Sequence, residues 1–220
     1  MAAGPHLTYV QYRFPEELAA FPSRAFYAGR LRTGIADSAG VLGILKRCKF
    51  PWPRHADTGA VVPTVFVQCA TEEDMGGRSK SNAGQVELVK RILPLLALGD
   101  SVGSDATLIQ KQKQLSITVL SPYSKQVAAL RYITPSAFTV DSFQGRESDV
   151  IIFSSVRSNA ERDIGFVDDE RRLNVMWTRA RLALIIIGDR GTMGANALWK
   201  GALDACTEVV LDDPGTGADK

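Results

Sequence analysis

The sequence predicts an α/β fold in which a mostly parallel sheet is covered by helices on both faces. Two observations carry this prediction. Strand-like runs alternate with helical stretches along the chain, and these runs are rich in Val and Ile on both faces. Composition agrees, since 45% hydrophobic and 23% charged residues are typical of a soluble globular protein and exclude wholesale disorder.

The individual elements follow from these runs. Strands are predicted at residues 61–69, 116–121, 149–156, 183–188 and 208–211, and helices at 16–28, 85–98, 124–132, 169–181 and 192–203. We expect a single domain over residues 1–211, with an irregular insertion at 32–58 and a frayed tail at 212–220. Ligands of such a fold usually bind at the carboxyl ends of the strands.

Several classes of function are excluded by missing features. The chain has no phosphate loop, no dinucleotide-binding glycine motif and no strand-ending acidic residues that would hold Mg²⁺. Three separated cysteines and two histidines do not suggest a metal site. No apolar run approaches the roughly 18–20 residues of a membrane span, so no membrane partner is expected. The net charge of +2 requires any nucleic-acid binding to come from locally placed residues. A self-contained enzyme is therefore not expected.

Four segments stand out by their residues and their order. They are QYR at 11–13 with FPS and FYAGRL following, LSPYSKQ at 120–126, TVDSFQGRE at 139–147, and GF at 165–166 leading into RRLNVMWTRAR at 171–181. Together they resemble the second RecA-like domain of superfamily 1 helicases of the up-frameshift type, also called the Dna2/Nam7-like group. The resemblance covers nearly the whole chain and implies a RecA-like layered fold. In that family the first domain carries the phosphate loop and the Mg²⁺ carboxylates that are missing here.

The resemblance also implies nucleotide contacts. Arg179 matches the arginine finger of the family and Arg13 its second phosphate-contacting arginine, which makes both candidate catalytic residues. Tyr12 matches the position against the nucleotide base, and Glu147 the residue that meets the ribose. Gly145 is placed in the same loop, where it permits a positive φ or a close approach to a ligand. For Tyr12, ordinary core packing is an equally weighted alternative.

The predicted helix 169–181 supports these roles independently. Its spacing places Leu173, Met176, Trp177 and Ala180 on one buried stripe, with arginines on both flanks. A guanidinium stays charged and binds phosphate oxygens in a forked geometry, so an arginine here could reach a phosphate across a cleft. A solvated salt-bridge face is the alternative for Arg179. We expect Arg13, Arg179 and Glu147 to share one exposed rim.

A second set of residues falls where the family touches the nucleic-acid strand. It comprises Ser121, Thr139, Ser142 and Gln144. Their hydroxyl and amide groups suit contacts to phosphate and sugar, which position a strand without reading its sequence. For each hydroxyl taken singly, capping or a turn is the alternative use.

The leading hypothesis is thus the C-terminal motor half of an ATP-dependent RNA or DNA helicase, inactive without its first domain. ATP and Mg²⁺ would be held mainly by that first domain. The expected partners are single-stranded RNA or DNA and the first RecA-like domain, and the expected location is the cytoplasm or the nucleus. Two alternatives stay open: a non-catalytic module that binds single strands or docks onto a protein, and a gene fragment.

Overall fold

A computed structural model describes residues 9–74, 76–77, 79–98 and 114–211, so the tail predicted at 212–220 lies outside the described part. The strands are β1 (Tyr9–Gln11), β2 (Leu31–Thr33), β3 (Thr64–Gln68), β4 (Ile117–Ser121), β5 (Ala137–Thr139), β6 (Ser148–Ser154), β7 (Ala180–Gly188) and β8 (Thr207–Glu208). Six of them form one sheet in the order β5-β4-β6-β7-β3-β8, while β1 and β2 pair separately. Every pairing between these strands is parallel.

Helices cover both faces of the large sheet. They are α1 (Glu16–Phe26), α2 (Ser38–Leu42), α3 (Ala83–Leu95), α4 (Ser124–Leu130), α5 (Glu170–Trp177), α6 (Arg190–Met193) and α7 (Ala197–Asp204). Along β7, Ile185 and Ile187 pack into one core cluster with residues of α3 and α4. Leu184 and Ile186 pack into another with residues of α1, α5 and α7. Because successive side chains of a strand point to opposite faces, β7 is buried on both sides. The predicted fold class is confirmed.

Five helices begin at side chains that accept hydrogen bonds from the backbone. Asp37 opens α2, Asn82 opens α3, Asp169 opens α5, Asp189 opens α6 and Asn196 opens α7. Each short polar side chain satisfies N–H groups that the first turn of a helix leaves without a partner. These caps set where the helices start relative to the strand ends before them.

The predicted helix 169–181 is too long. Helix α5 ends at Trp177, where the hydroxyl of Thr178 donates to the carbonyl of Asn174 at 2.8 Å. The carbonyl of Arg179 then accepts from the backbone N–H of Ser148 at 3.0 Å, so the chain has already joined the sheet. Arg179 therefore lies in the connection and Arg181 in β7, although the predicted stripe of Leu173, Met176, Trp177 and Ala180 is buried.

Other boundaries also differ from the prediction. Residues 192–203 form two helices instead of one, and the last strand covers 207–208. Strands β1, β2 and β5 were not predicted, because three residues are too few to show a period. Within 32–58, expected to be irregular, α2 and a 3₁₀ turn (Gly43–Arg47) are present, with Leu42 and Leu45 buried in the core. Within the described ranges, no helix is both long enough and apolar enough to cross a membrane.

Candidate nucleotide and single-strand interface

Arg13 and Glu147 meet at one rim of the domain although 134 residues separate them. Nε of Arg13 donates to Oε2 of Glu147 at 2.6 Å, and Nη1 donates to the carbonyl of Thr178 at 3.0 Å. The side chains of Arg13 and Glu147 keep 33% and 40% of their exposure, so the pair faces solvent. The hydrogen bond from Arg13 holds the pKa of the Glu147 carboxyl below its ordinary value.

The turn that carries Arg13 is closed by a side-chain amide. Oε1 of Gln11 accepts from the backbone N–H groups of Arg13 and Phe14, at 2.7 and 3.0 Å. Nε2 of the same residue donates to the carbonyl of Phe14 at 2.6 Å. Gln11 lies in the QYR segment, but the sequence indicated no role for it. Its role is to hold the backbone beneath Arg13 in one conformation.

Arg179 completes the rim from the connection between α5 and β7. Its guanidinium donates to the carbonyls of Val175 at 3.0 Å and Arg146 at 3.2 Å. Among the described residues it makes no ion pair with a carboxylate. Burial and the nearby charge of Arg13 lower the pKa of Arg179. Two guanidiniums at one rim, one of them without an acidic partner, are suited to an incoming anion.

The expected rim of Arg13, Arg179 and Glu147 is present, and none of the three is buried. Its position in the sheet differs from the expectation, however. Glu147 directly precedes β6 and Arg179 directly precedes β7, so the rim lies at the amino ends of these strands. Ligands of such folds usually bind at the carboxyl ends of the strands. The rim does not follow this rule, since Glu147 and Arg179 each directly precede a strand.

Charges next to the rim are paired. Arg181 binds Asp149 with Nε at 3.0 Å and Nη2 at 2.6 Å, and it reaches Glu147 at 3.4 Å. Asp149 also accepts from the backbone and hydroxyl of Ser116. These bonds fix the start of β6 against β4 and β7. The carboxylates beside the rim therefore do not present free negative charge to a phosphate.

Tyr12 and Gly145 are both exposed near this rim. Tyr12 is 76% exposed, which rules out the core-packing alternative. Its ring lies over Gly34, where an added Cβ would collide with it. Gly145 has φ of +81°, the first of the two uses that the sequence allowed for this glycine.

The four residues predicted to contact a nucleic-acid strand differ in exposure: Ser121 is buried and the other three reach the surface. Thr139 and Ser142 are bonded to each other, since the N–H of Ser142 donates to Thr139 Oγ1 at 3.2 Å and its hydroxyl donates to the Thr139 carbonyl at 3.0 Å. This is the turn use of both hydroxyls, and Ser142 and Gln144 remain exposed. The prediction for Ser121 is wrong: it is fully buried at the end of β4, where its backbone pairs with Thr139 of β5. It presents no surface to a phosphate.

One loop joins the two candidate surfaces. Residues 139–147 run from the carboxyl end of β5, at Thr139, to the amino end of β6, after Glu147. A 3₁₀ turn (Asp141–Phe143) fills the middle and buries Phe143 in the core. Three of the residues expected to contact a strand (Thr139, Ser142 and Gln144) and two of those expected to contact a nucleotide (Gly145 and Glu147) therefore lie on one short, anchored segment.

A buried ionic cluster lies on the opposite side of the sheet from the rim, beyond the carboxyl ends of the strands. The sequence did not predict it. Arg157, 4% exposed, donates to Glu73 at 2.8 Å, to Tyr123 Oη at 3.2 Å and to Asp163 at 2.9 Å. Lys80 pairs with the other oxygen of Glu73 at 3.3 Å. No sequence signal could have found the Arg157–Glu73 pair, since 84 residues separate the two. Within the described part of the chain, no group of His, Cys, Asp and Glu is placed to hold a metal ion.

The parallel sheet covered on both faces and the basic rim define a RecA-like α/β domain. Residues 3–191 match the family described as "AAA domain". The chain is 35% identical to "Regulator of nonsense transcripts 1" of Dictyostelium discoideum over 89% of its length. It is 34% identical to "ATP-dependent helicase NAM7" of Saccharomyces cerevisiae over 86%. It is also 34% identical to "DNA polymerase alpha-associated DNA helicase A" of the same yeast over 82%.

The chain therefore belongs to this AAA domain family, and most of its length is homologous to up-frameshift-type superfamily 1 helicases. It spans 14%, 19% and 27% of the length of these three relatives.

Proposed function

We propose that this chain is the C-terminal motor half of an ATP-dependent superfamily 1 helicase. It supplies Arg13 and Arg179 to a nucleotide held by a first RecA-like domain, and it offers a surface to single-stranded RNA or DNA. The observation that carries the proposal is the shared rim: two guanidiniums from opposite ends of the chain converge beside Glu147.

The hydrogen-bond donors at the rim suit the phosphate oxygens of a nucleoside triphosphate. Arg179 donates to backbone carbonyls, which compete less strongly for a guanidinium than a carboxylate does. Arg13 is held by Glu147 but remains partly exposed. ATP would supply the phosphoanhydride bond, and Mg²⁺ with the phosphate loop would come from the first domain. The two arginines would hold oxygens of the terminal phosphate as negative charge develops there.

The strand surface is proposed for Thr139, Ser142 and Gln144, and Ser121 is left out because it is buried. These uncharged groups suit backbone contacts, so binding should depend little on base identity. Salt dependence would come only from arginine or lysine contacts, with a slope of about −0.7 in log affinity against log salt for each phosphate neutralised on a single strand. The anchored loop 139–147 connects this surface to Glu147 at the nucleotide rim.

The proposal predicts that the purified chain has no ATP turnover above background and that addition of a first RecA-like domain, in one chain or in trans, restores it. In the reconstituted protein, Arg179→Ala should lower turnover by about 10³-fold or more. Arg13→Lys and Arg179→Lys should lower kcat more than nucleotide affinity, because a lysine cannot reproduce the forked contact.

Arg171→Ala is the matched control and should keep turnover, since Arg171 is exposed in the first turn of α5, whereas Arg179 follows the other end of that helix. Turnover by the isolated chain that disappears in Arg179→Ala would contradict the proposal. Strand binding without turnover in the reconstituted protein would favour a non-catalytic module instead.

A further inference from the structure

Phe166 is an aromatic side chain that the fold leaves on the surface. It lies in a 3₁₀ turn (Gly165–Asp168) between β6 and α5, and 61% of it is exposed. One side of the ring rests on Tyr123, with ring centroids 6.0 Å apart and planes at 61°. Tyr123 itself is buried. The part of the Phe166 ring that does not rest on Tyr123 is open to solvent.

This ring lies beside the surface proposed for the strand. Phe166, Pro122, Val140 and Arg172 line the same small depression. Val140 directly follows Thr139, and Arg172 binds Asp141, the neighbour of Ser142, with both contacts at 3.0 Å. A strand that touches Thr139 or Ser142 therefore passes close to the exposed face of Phe166.

The turn beneath Phe166 is held rigidly. Gly165 has φ of +53°, and an added Cβ would collide with Nη1 of Arg157. The Arg157 guanidinium is bonded on one side to Tyr123 and on another to Asp163, whose Oδ1 accepts from the N–H of Gly165. The buried arginine thus fixes both the support of the ring and the turn that carries it. A ring held in this way loses little conformational entropy on binding.

The charges around Phe166 favour a neutral ligand over a phosphate. Asp168 accepts from the side chain of Asn196, and Asp169 caps α5. Arg172, which lines the same depression, is already engaged by Asp141. A phosphate would meet carboxylates, whereas an uncharged, flat ring would meet the apolar face of Phe166. Bases stack on such aromatic faces irrespective of their identity.

We propose that Phe166 is a stacking platform for one base of the single strand, supported by Arg157 through Tyr123 and Gly165. This inference rests on the proposed strand surface and adds a contact to the bases, where the hydroxyl and amide groups contact the backbone.

The test measures binding of a fluorescent oligonucleotide of about 12 thymidines or uridines to the full chain by anisotropy. One base–aromatic stack is worth about 1–3 kcal/mol, so Phe166→Ala should weaken binding about 5- to 150-fold. The salt slope should stay unchanged, because no phosphate contact is lost.

Phe166→Trp should keep the affinity, and the emission of the new tryptophan should be quenched by the oligonucleotide. The native tryptophans, Trp52, Trp177 and Trp199, are buried, so their emission is a background that should not change when the oligonucleotide binds.

Tyr132→Ala is the control, since Tyr132 is 94% exposed after the end of α4 and should contribute nothing. If the unmodified chain binds and Phe166→Ala binds equally well, the platform is wrong while the strand surface stands. If the unmodified chain does not bind at all, the strand surface itself fails. A Phe166→Ala variant that loses only its association with a first RecA-like domain would assign the ring to a protein contact and overturn the inference.

Discussion

At the scale of single residues, the rim depends on the two hydrogen-bond partners of the Arg13 guanidinium. The same guanidinium neutralises Glu147 and donates to the Thr178 carbonyl next to Arg179. Glu147 therefore acts as a holder that keeps Arg13 extended towards the rim, where a free arginine would sample many rotamers.

Replacement of Arg13 by Met should raise the pKa of the Glu147 carboxyl towards its ordinary value, because the largest cause of its lowering is removed. The same contact makes the stability of the folded chain depend on pH. The carboxylate form is favoured in the folded chain, so its contribution is complete above the ordinary glutamate pKa and is lost as pH falls through the folded-state pKa. An NMR titration of the side-chain carboxyl in both proteins measures the change, and an unchanged pKa would show that Arg13 does not hold Glu147.

At the scale of elements, α1 and α5 are joined by an unusual hydrogen bond. Pro22 lies inside α1 and has no N–H, which leaves the carbonyl of Leu18 without its helical donor. Nε1 of Trp177, at the end of α5, donates to that carbonyl at 3.0 Å. The Trp177 ring also packs against Phe21 at 4.4 Å between centroids. The large side chain that the sequence placed in the core thus satisfies a buried carbonyl as well.

Trp177→Phe should destabilise the chain by about 1–3 kcal/mol, since the Leu18 carbonyl would stay buried without a partner. Pro22→Ala restores an N–H at that position, so the cost of Trp177→Phe should be smaller in the Pro22→Ala background. Chemical denaturation of the four proteins of this double-mutant cycle gives the coupling. Equal costs in both backgrounds would mean that Trp177 acts through packing alone.

At the scale of the whole molecule, the Arg157 cluster ties together three loops that follow different strands. Glu73 follows β3, Tyr123 follows β4, and Arg157 and Asp163 follow β6. Val156, just before Arg157, is buried at φ of +72°, a conformation that costs a β-branched residue energy. The cluster is therefore what holds this edge of the sheet in one arrangement.

Arg157→Met should destabilise the chain by about 3–5 kcal/mol, because it leaves the Glu73 carboxylate buried with Lys80 as its remaining cation. The double variant Arg157→Met, Glu73→Gln should recover part of this loss. Arg172→Met is the matched control, since its partner Asp141 is exposed, and it should cost less than about 1 kcal/mol. Denaturant midpoints of the three variants provide the comparison, and equal costs for Arg157→Met and Arg172→Met would disprove the role of the buried cluster.

The sequence by itself determined the fold class, the four long strands and the helical stretches around them. It could do so because β-branched residues on both faces of a strand and a 3.6-residue stripe on a helix are local patterns. It also placed Arg13, Glu147 and Arg179 on one rim through the resemblance of four ordered segments. For Gly145 it left a positive φ and a close approach to a ligand open, and the structure shows the positive φ.

Only the tertiary structure decided which edge of the sheet carries the rim, that Ser121 is buried and that Arg179 stands beyond the end of α5. The same holds for the Arg157–Glu73 pair and the exposed face of Phe166. Each depends on contacts between residues far apart in the chain, where sheet pairing or burial overrides local preference. A pattern within a window of residues carries no record of such contacts.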